Sequence, residues 1–127
     1  EEAFRTLLGN GMAGDVPSAK VSPAGVIAVI RDAGGVAVLA HPTYLPDFAV
    51  RLPELVACGL EGLECIYGEY APDVVTELVV VAGAHDLVVT GGSDFHGPGL
   101  GAGSGAIGVP HVPESVLEGL LQRRRRG

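Results

Sequence analysis

Short apolar runs of strand length, each preceded by a stretch with helical spacing and each closed by a glycine, a proline or a polar residue, set the limits on what this chain can become. Val36-Ala37-Val38-Leu39-Ala40 is such a run, the pattern of a strand covered on both faces. Before it, Ser22-Pro23 offers a helix N-cap and a first-turn proline, Val26, Ile27 and Ile30 follow at helical spacing, and Gly34-Gly35 marks the stop. The alternation recurs. A helix around Pro53 to Cys58, closed by Gly59, leads to a strand over Gly62 to Tyr67, and a helix over Pro72 to Ala84 leads to a strand over Leu87 to Thr90. A glycine-rich loop from Gly91 to Gly105, a short strand at Ala106 to Val109 and a closing helix from Pro113 to about Gln122 complete the order. At the other end, Glu1 to Leu8 reads as a short amphipathic helix stopped by Gly9-Asn10-Gly11, followed by a turn-rich stretch to Val21. Helix and strand alternating in this way predict an α/β fold of parallel strands. With no internal repeat and no low-complexity linker, residues 1–127 read as one domain.

Composition narrows the function classes. The 127 residues are 47% hydrophobic, enough to bury a core, but no apolar run approaches the ~18 residues of a membrane span. The formal charge of −7 conceals an asymmetry: four of the eight basic residues form the run Arg123 to Arg126, leaving four bases against fifteen acids in the body. A body that acidic argues against a broad nucleic-acid surface, and the arginine run reads as a solvated tail. Cys58 and Cys65 read as reduced, buried thiols rather than a disulfide or metal pair. The opening Glu1-Glu2-Ala3-Phe4-Arg5 has no initiator Met, basic region or apolar stretch, so it reads as the interior of a longer gene product, and a cytoplasmic location with no membrane association is expected.

In parallel α/β folds, functional groups gather where strands end and lead into the next helix. His41 follows the strand run directly and is fixed by Pro42, while Asp94 and His96 follow Leu87 to Thr90. In Asp94-Phe95-His96 the carboxylate and the imidazole project to one side if the segment is extended. A neutral nitrogen donor beside a charged oxygen donor suits zinc, manganese or iron. Ser93 and Thr90 have no base nearby in sequence and read as hydrogen-bonding groups rather than nucleophiles. His85, at the end of the Pro72 to Ala84 helix, reads as a partner of the helix dipole, and His111, near two prolines, is left out of the site.

Gly34-Gly35-Val36-Ala37-Val38-Leu39-Ala40-His41-Pro42, then Gly62-Leu63-Glu64-Cys65-Ile66-Tyr67, then Thr90-Gly91-Gly92-Ser93-Asp94-Phe95-His96-Gly97 together resemble the C-terminal signature of the PHP (polymerase and histidinol phosphatase) phosphoesterases. The likeness is greatest to the small bacterial enzymes that hydrolyse phosphate esters of nucleotides and short RNA. It runs from the Phe4 helix and the Val16-Pro17 segment to the Pro113 helix. The resemblance implies the C-terminal portion of a distorted seven-stranded (β/α) barrel, with two or three divalent ions (manganese, zinc or iron) and hydrolysis by a metal-activated water. His41 matches the family's ligand in its His-Pro motif, and Asp94 and His96 match the paired ligands of its last motif. Glu64 matches a glutamate near the site that is a ligand, a substrate contact or a structural anchor.

The sequence departs from the pattern in two respects. The family's His-x-His motif, a further ligand histidine and a bridging glutamate have no counterpart here, so the partners expected are a small phosphorylated substrate and the missing N-terminal half of the domain, and the piece alone is expected to be inactive. Gly68-Glu69-Tyr70 also departs from the aromatic and histidine-rich segment of that branch. Two readings compete with a phosphoesterase: a non-catalytic binding or regulatory module that keeps the fold signature, and another β/α-barrel metal hydrolase such as an amidohydrolase.

Overall fold

Three parallel strands, hydrogen-bonded in chain order, organise the structure. They are β1 (Val38–Leu39), β2 (Gly62–Tyr67) and β3 (Val88–Gly92). Four helices connect and cover them: α1 (Pro23–Asp32), α2 (Phe48–Ala57), α3 (Pro72–Ala84) and α4 (Ser115–Arg124). The computed structural model describes residues 2–9, 11–15, 21–97 and 106–124. The Val16-Pro17 segment, the loop beyond Gly97 as far as Gly105, and Arg125 and Arg126 lie outside the described residues.

Each strand ends before a helix that returns the chain to the same end of the sheet, as parallel pairing requires. β2 is central. Its Leu63 and Cys65 are fully buried and share the core with Leu52 of α2 and with Leu78 and Ala82 of α3. Gly62 and Leu63 pair with Val38 and Leu39 on one side and with Val88 and Val89 on the other. Between Glu64 and Ile66 the register to β3 shifts, so that Glu64 faces Thr90 and Ile66 faces Gly91. Gly91 is required there. A Cβ on it would lie 2.2 Å from the Ile66 carbonyl oxygen, a backbone atom that cannot move aside.

Local chemistry accounts for the helices. Ser22 Oγ accepts the Gly25 N–H at 3.2 Å and Pro23 opens the first turn of α1, the capping read from the sequence. Helix α3 spans the predicted Pro72 to Ala84. α2 is longer than predicted, with Pro53 inside it rather than at its start. Phe48, Leu52, Leu55 and Val56 lie on one helical stripe that packs into the core, and that burial outweighs the ~3 kcal/mol an interior proline costs.

Several expectations are corrected. The run from Val36 to Ala40 forms only the two-residue β1, and Val38 is 36% exposed. β1 has a strand partner on one side only among the described residues, and the exposure of Val38 shows that the cover expected on both faces is incomplete. Ala106 to Val109 is a turn rather than a strand, closed by the Val109 N–H donating to the Ala106 carbonyl. Phe4–Leu8 is a π-helical turn. Cys58 is exposed, because it follows the last residue of α2, while Cys65 is buried as expected. Arg123 does not belong to a solvated tail: its guanidinium lies 2.8 Å from Asp86 Oδ1 and also donates to the Asp86 carbonyl. This ties the end of α4 to the turn before β3 and raises the guanidinium pKa still further, chiefly through the hydrogen bond to Asp86. No helix among the described residues is long and apolar enough to cross a membrane.

Candidate metal centre

At the carboxyl end of the sheet, β1 delivers His41 and β3 delivers Asp94 to the same place. His41 has left-handed backbone (φ 46°) and opens a 3₁₀ turn over Pro42–Tyr44, closed by the Tyr44 N–H donating to the His41 carbonyl at 3.0 Å. Asp94 is also left-handed (φ 50°). Two non-glycine residues in that region within one site is costly backbone, of the kind that clusters where geometry serves function. His41 Nε2 lies 3.8 Å from Asp94 Oδ2, and both side chains are about two-thirds covered. Two donors at that separation can share one ion, since each bonds a divalent metal at about 2.0–2.2 Å.

Glu64, at the middle of β2, supports this pair from behind. Its Oε2 accepts the backbone N–H of His41 at 2.8 Å and lies 3.7 Å from His41 Nδ1. His41 Nδ1 is buried and has no hydrogen-bond partner. The hydrogen bond ties Glu64 to the turn that carries His41.

His96 is the outlying member, with 62% of its side chain exposed. Its Nδ1 sits 2.5 Å from the Asp94 carbonyl oxygen and 3.5 Å from Asp94 Oδ1. A carbonyl only accepts, so this contact calls for the proton on Nδ1, which in the neutral ring leaves the Nε2 lone pair available. The left-handed turn at Asp94, rather than extended alternation, sets this geometry. Among the described residues no three His, Cys, Asp or Glu side chains already converge as an ion cage. The donor types, with His41 Nε2 facing the Asp94 carboxylate, fit part of a metal site.

An aromatic group the sequence reading did not assign to the site surrounds His41. Tyr44 stacks on its ring (centroids 5.6 Å apart, planes 20° apart), and Tyr67 meets it edge-on at 5.0 Å. Tyr70 meets Tyr67 edge-on at 5.0 Å, and the Thr43 hydroxyl donates to the Tyr70 oxygen at 3.1 Å. The Tyr67 hydroxyl is pushed up to about 12, first by burial and then by the nearby Glu69 and Asp94 carboxylates. These are the chain's three tyrosines. Tyr67 was findable, since it closes β2 at the same end as His41; Tyr44 required the turn to be seen. Thr90 Oγ1 donates to the Leu63 carbonyl at 3.2 Å, the structural role expected. His85 caps the end of α3, ahead of β3 and so at the opposite end of the sheet from His41, and His111 is exposed.

Comparison with known proteins agrees in sequence and in fold. No family model matches the chain. It is 37% identical over 94 residues to the phosphoribosyl 1,2-cyclic phosphate 1,2-diphosphodiesterase of Eggerthella lenta, covering 74% of this chain and 36% of that protein. It is 33% identical over 102 residues to the 3′,5′-nucleoside bisphosphate phosphatase of Chromobacterium violaceum (77% of this chain, 36% of the relative). To the 5′-3′ exoribonuclease Rnm of Escherichia coli it is 36% identical over 101 residues (76% and 34%). Among solved structures, one from Bifidobacterium adolescentis, named provisionally a metal-dependent phosphoesterase, superposes with a TM-score of 0.72 at 32% identity, over 96% of this chain and 43% of that one. A Chromobacterium violaceum amidohydrolase, solved with bound sulfate and no metal, gives 0.64 at 28% identity over 96% and 44%. The chain thus spans little more than a third of the length of the curated relatives it matches. By these likenesses the chain is a homologue of the PHP-type phosphoesterases and corresponds to one part of their length.

Proposed function

We propose that this chain is part of a metal-dependent phosphoesterase that hydrolyses phosphate monoesters or diesters of nucleotides or short RNA. In this reading the three parallel strands are a sector of a distorted seven-stranded β/α barrel, completed by the part of the domain the relatives carry and this chain does not match. The observation that carries it is the meeting of His41 and Asp94 at the carboxyl ends of β1 and β3, in a chain homologous to three hydrolases of phosphate esters.

His41 through Nε2, Asp94 through its carboxylate and His96 through Nε2 would hold divalent ions (manganese, zinc or iron, two or three in the whole domain). When bound, these neutralise phosphate oxygens and lower the pKa of water. The chain's own residues prepare the site. Glu64 holds the His41 turn by accepting its backbone N–H, in an arrangement where His41 Nε2 faces Asp94. The Asp94 carbonyl fixes the His96 tautomer. Tyr67, protonated at neutral pH, keeps its hydroxyl proton beside the Glu69 carboxylate. No side chain in this arrangement is poised as a covalent nucleophile.

A chimera tests the proposal: this chain joined to the unmatched portion of the Eggerthella lenta relative, assayed for manganese-dependent phosphate release from a 3′,5′-nucleoside bisphosphate. The expected result is turnover lost by at least about a hundredfold in Asp94→Ala, the scale of removing a group that holds a catalytic ion. A folded chimera with no metal-dependent release, or one indifferent to Asp94→Ala, would leave a non-catalytic module. The amidohydrolase likeness favours one other chemistry, and cleavage of an amide but not of a phosphoester by the same chimera would establish it.

A further inference from the structure

Tyr44 is 66% exposed although it stacks on His41 at the heart of the candidate site. A large ring left open to water is ordinary on a mobile surface, but this one is held. Pro42, two residues before it, is fully buried. The Tyr44 and Leu45 backbone N–H groups close the turn onto the His41 and Pro42 carbonyls at 3.0 and 3.1 Å. Thr43, between them, hydrogen-bonds to Tyr70, which packs on Tyr67. Tyr67 in turn packs on His41. An exposed aromatic ring carried on an anchored turn thus extends the stack one layer outward from the His41 and Asp94 pair.

The charge of the chain limits what could use such a platform. Apart from the terminal arginine run, the body holds four bases against fifteen acids, so a phosphorylated ligand gains little from long-range attraction. Beyond the phosphate that bound ions would hold, its organic part can add recognition, and a flat aromatic surface recognises flat aromatic groups through stacking that is largely indifferent to sequence. Resting on the phosphoesterase reading, and deepening it, we propose that Tyr44 is a nucleobase platform: the base of the substrate stacks on its exposed ring while the phosphate reaches the His41 and Asp94 pair. The site would then prefer nucleoside phosphates over sugar phosphates without distinguishing strongly among bases.

NMR titration of the 127-residue chain, held below the concentration at which it self-associates, with adenosine and with ribose tests this, read on ligand signals and on the protein's tyrosine ring protons. Neither compound carries a phosphate, so the outcome does not depend on whether the chimera above hydrolyses anything. Adenosine is expected to bind and to shift tyrosine ring protons, with ribose at least about tenfold weaker. Tyr44→Phe should keep the difference, and Tyr44→Ala should abolish it while the circular dichroism spectrum stays unchanged, since the ring is largely exposed. Equal binding of adenosine and ribose, no binding of adenosine, or adenosine binding that Tyr44→Ala leaves intact would each overturn the platform. Phosphate release by the chimera would in that case still stand.

Discussion

Glu64 makes one hydrogen bond that decides where a functional residue sits. Its carboxylate accepts the His41 N–H at 2.8 Å in a partly buried place, and such a charged acceptor contributes about 1.5–3 kcal/mol. Glu64→Ala is therefore expected to lower the unfolding free energy by that amount, read from urea denaturation, and Glu64→Gln, which keeps an acceptor, by clearly less. Equal midpoints for Glu64→Ala and the parent chain would mean that the turn holds itself. The two cysteines separate on burial. Cys58 should react with one equivalent of a thiol reagent in the native chain at pH 8, and Cys65 only on unfolding. Burial, with a lesser push from Glu64, raises the Cys65 thiol to about 11. An unfolded thiol ionises near 8.5, so between about pH 9 and 11 the unfolded state binds fewer protons than the folded one, and stability falls as pH rises through that window. Urea midpoints measured from pH 8 to 11 should show a shallower decline in Cys65→Ala.

The strand junction between β2 and β3 is the element on which the site geometry depends. The register shift after Glu64 brings the Gly91 backbone against Ile66, and from there the chain runs through Gly92 and Ser93 to the left-handed Asp94. A methyl group at position 91 would meet a carbonyl oxygen at 2.2 Å, so strand pairing itself would have to yield. Gly91→Ala is expected to cost at least about 2 kcal/mol, read as a drop in thermal midpoint. Gly83→Ala, in α3 where a Cβ has open space, should be neutral or slightly stabilising. Matching losses in the two variants would show that close approach at Gly91 is not the cause.

Across the whole molecule, both edge strands, β1 and β3, have a strand partner on one side only among the described residues, and several apolar residues near β1 are exposed. β1 pairs only with β2, Val26, Val29 and Val38 are exposed, and an open apolar groove lined by Val26, Ile30, Val38 and Leu55 runs beside the edge. An open edge beside apolar surface templates further pairing. The chain alone is expected to self-associate at micromolar concentration in sedimentation velocity, and Val38→Lys should shift it toward the monomer. A monodisperse parent chain at 100 μM would show that the edge is protected.

What the sequence by itself determined were features that rest on local chemistry and periodicity. The α1 cap at Ser22-Pro23, the bounds of β2 and α3, the parallel order and the strand-end placement of His41, Asp94 and His96 all follow from a few neighbouring residues. Tertiary structure decided the rest, because those features depend on what packs against what. The interior position of Pro53 is set by the buried stripe of α2, and the anchoring of Arg123 by Asp86, 37 residues away in the chain. The likeness of Asp94-Phe95-His96 to a ligand pair was legible in sequence. Glu64 was singled out by the resemblance with its role open. Its hydrogen bond to the His41 turn, the left-handed turn at Asp94 and the Tyr44, Tyr67 and Tyr70 stack were not legible, since each depends on residues far apart in the chain meeting at one end of the sheet.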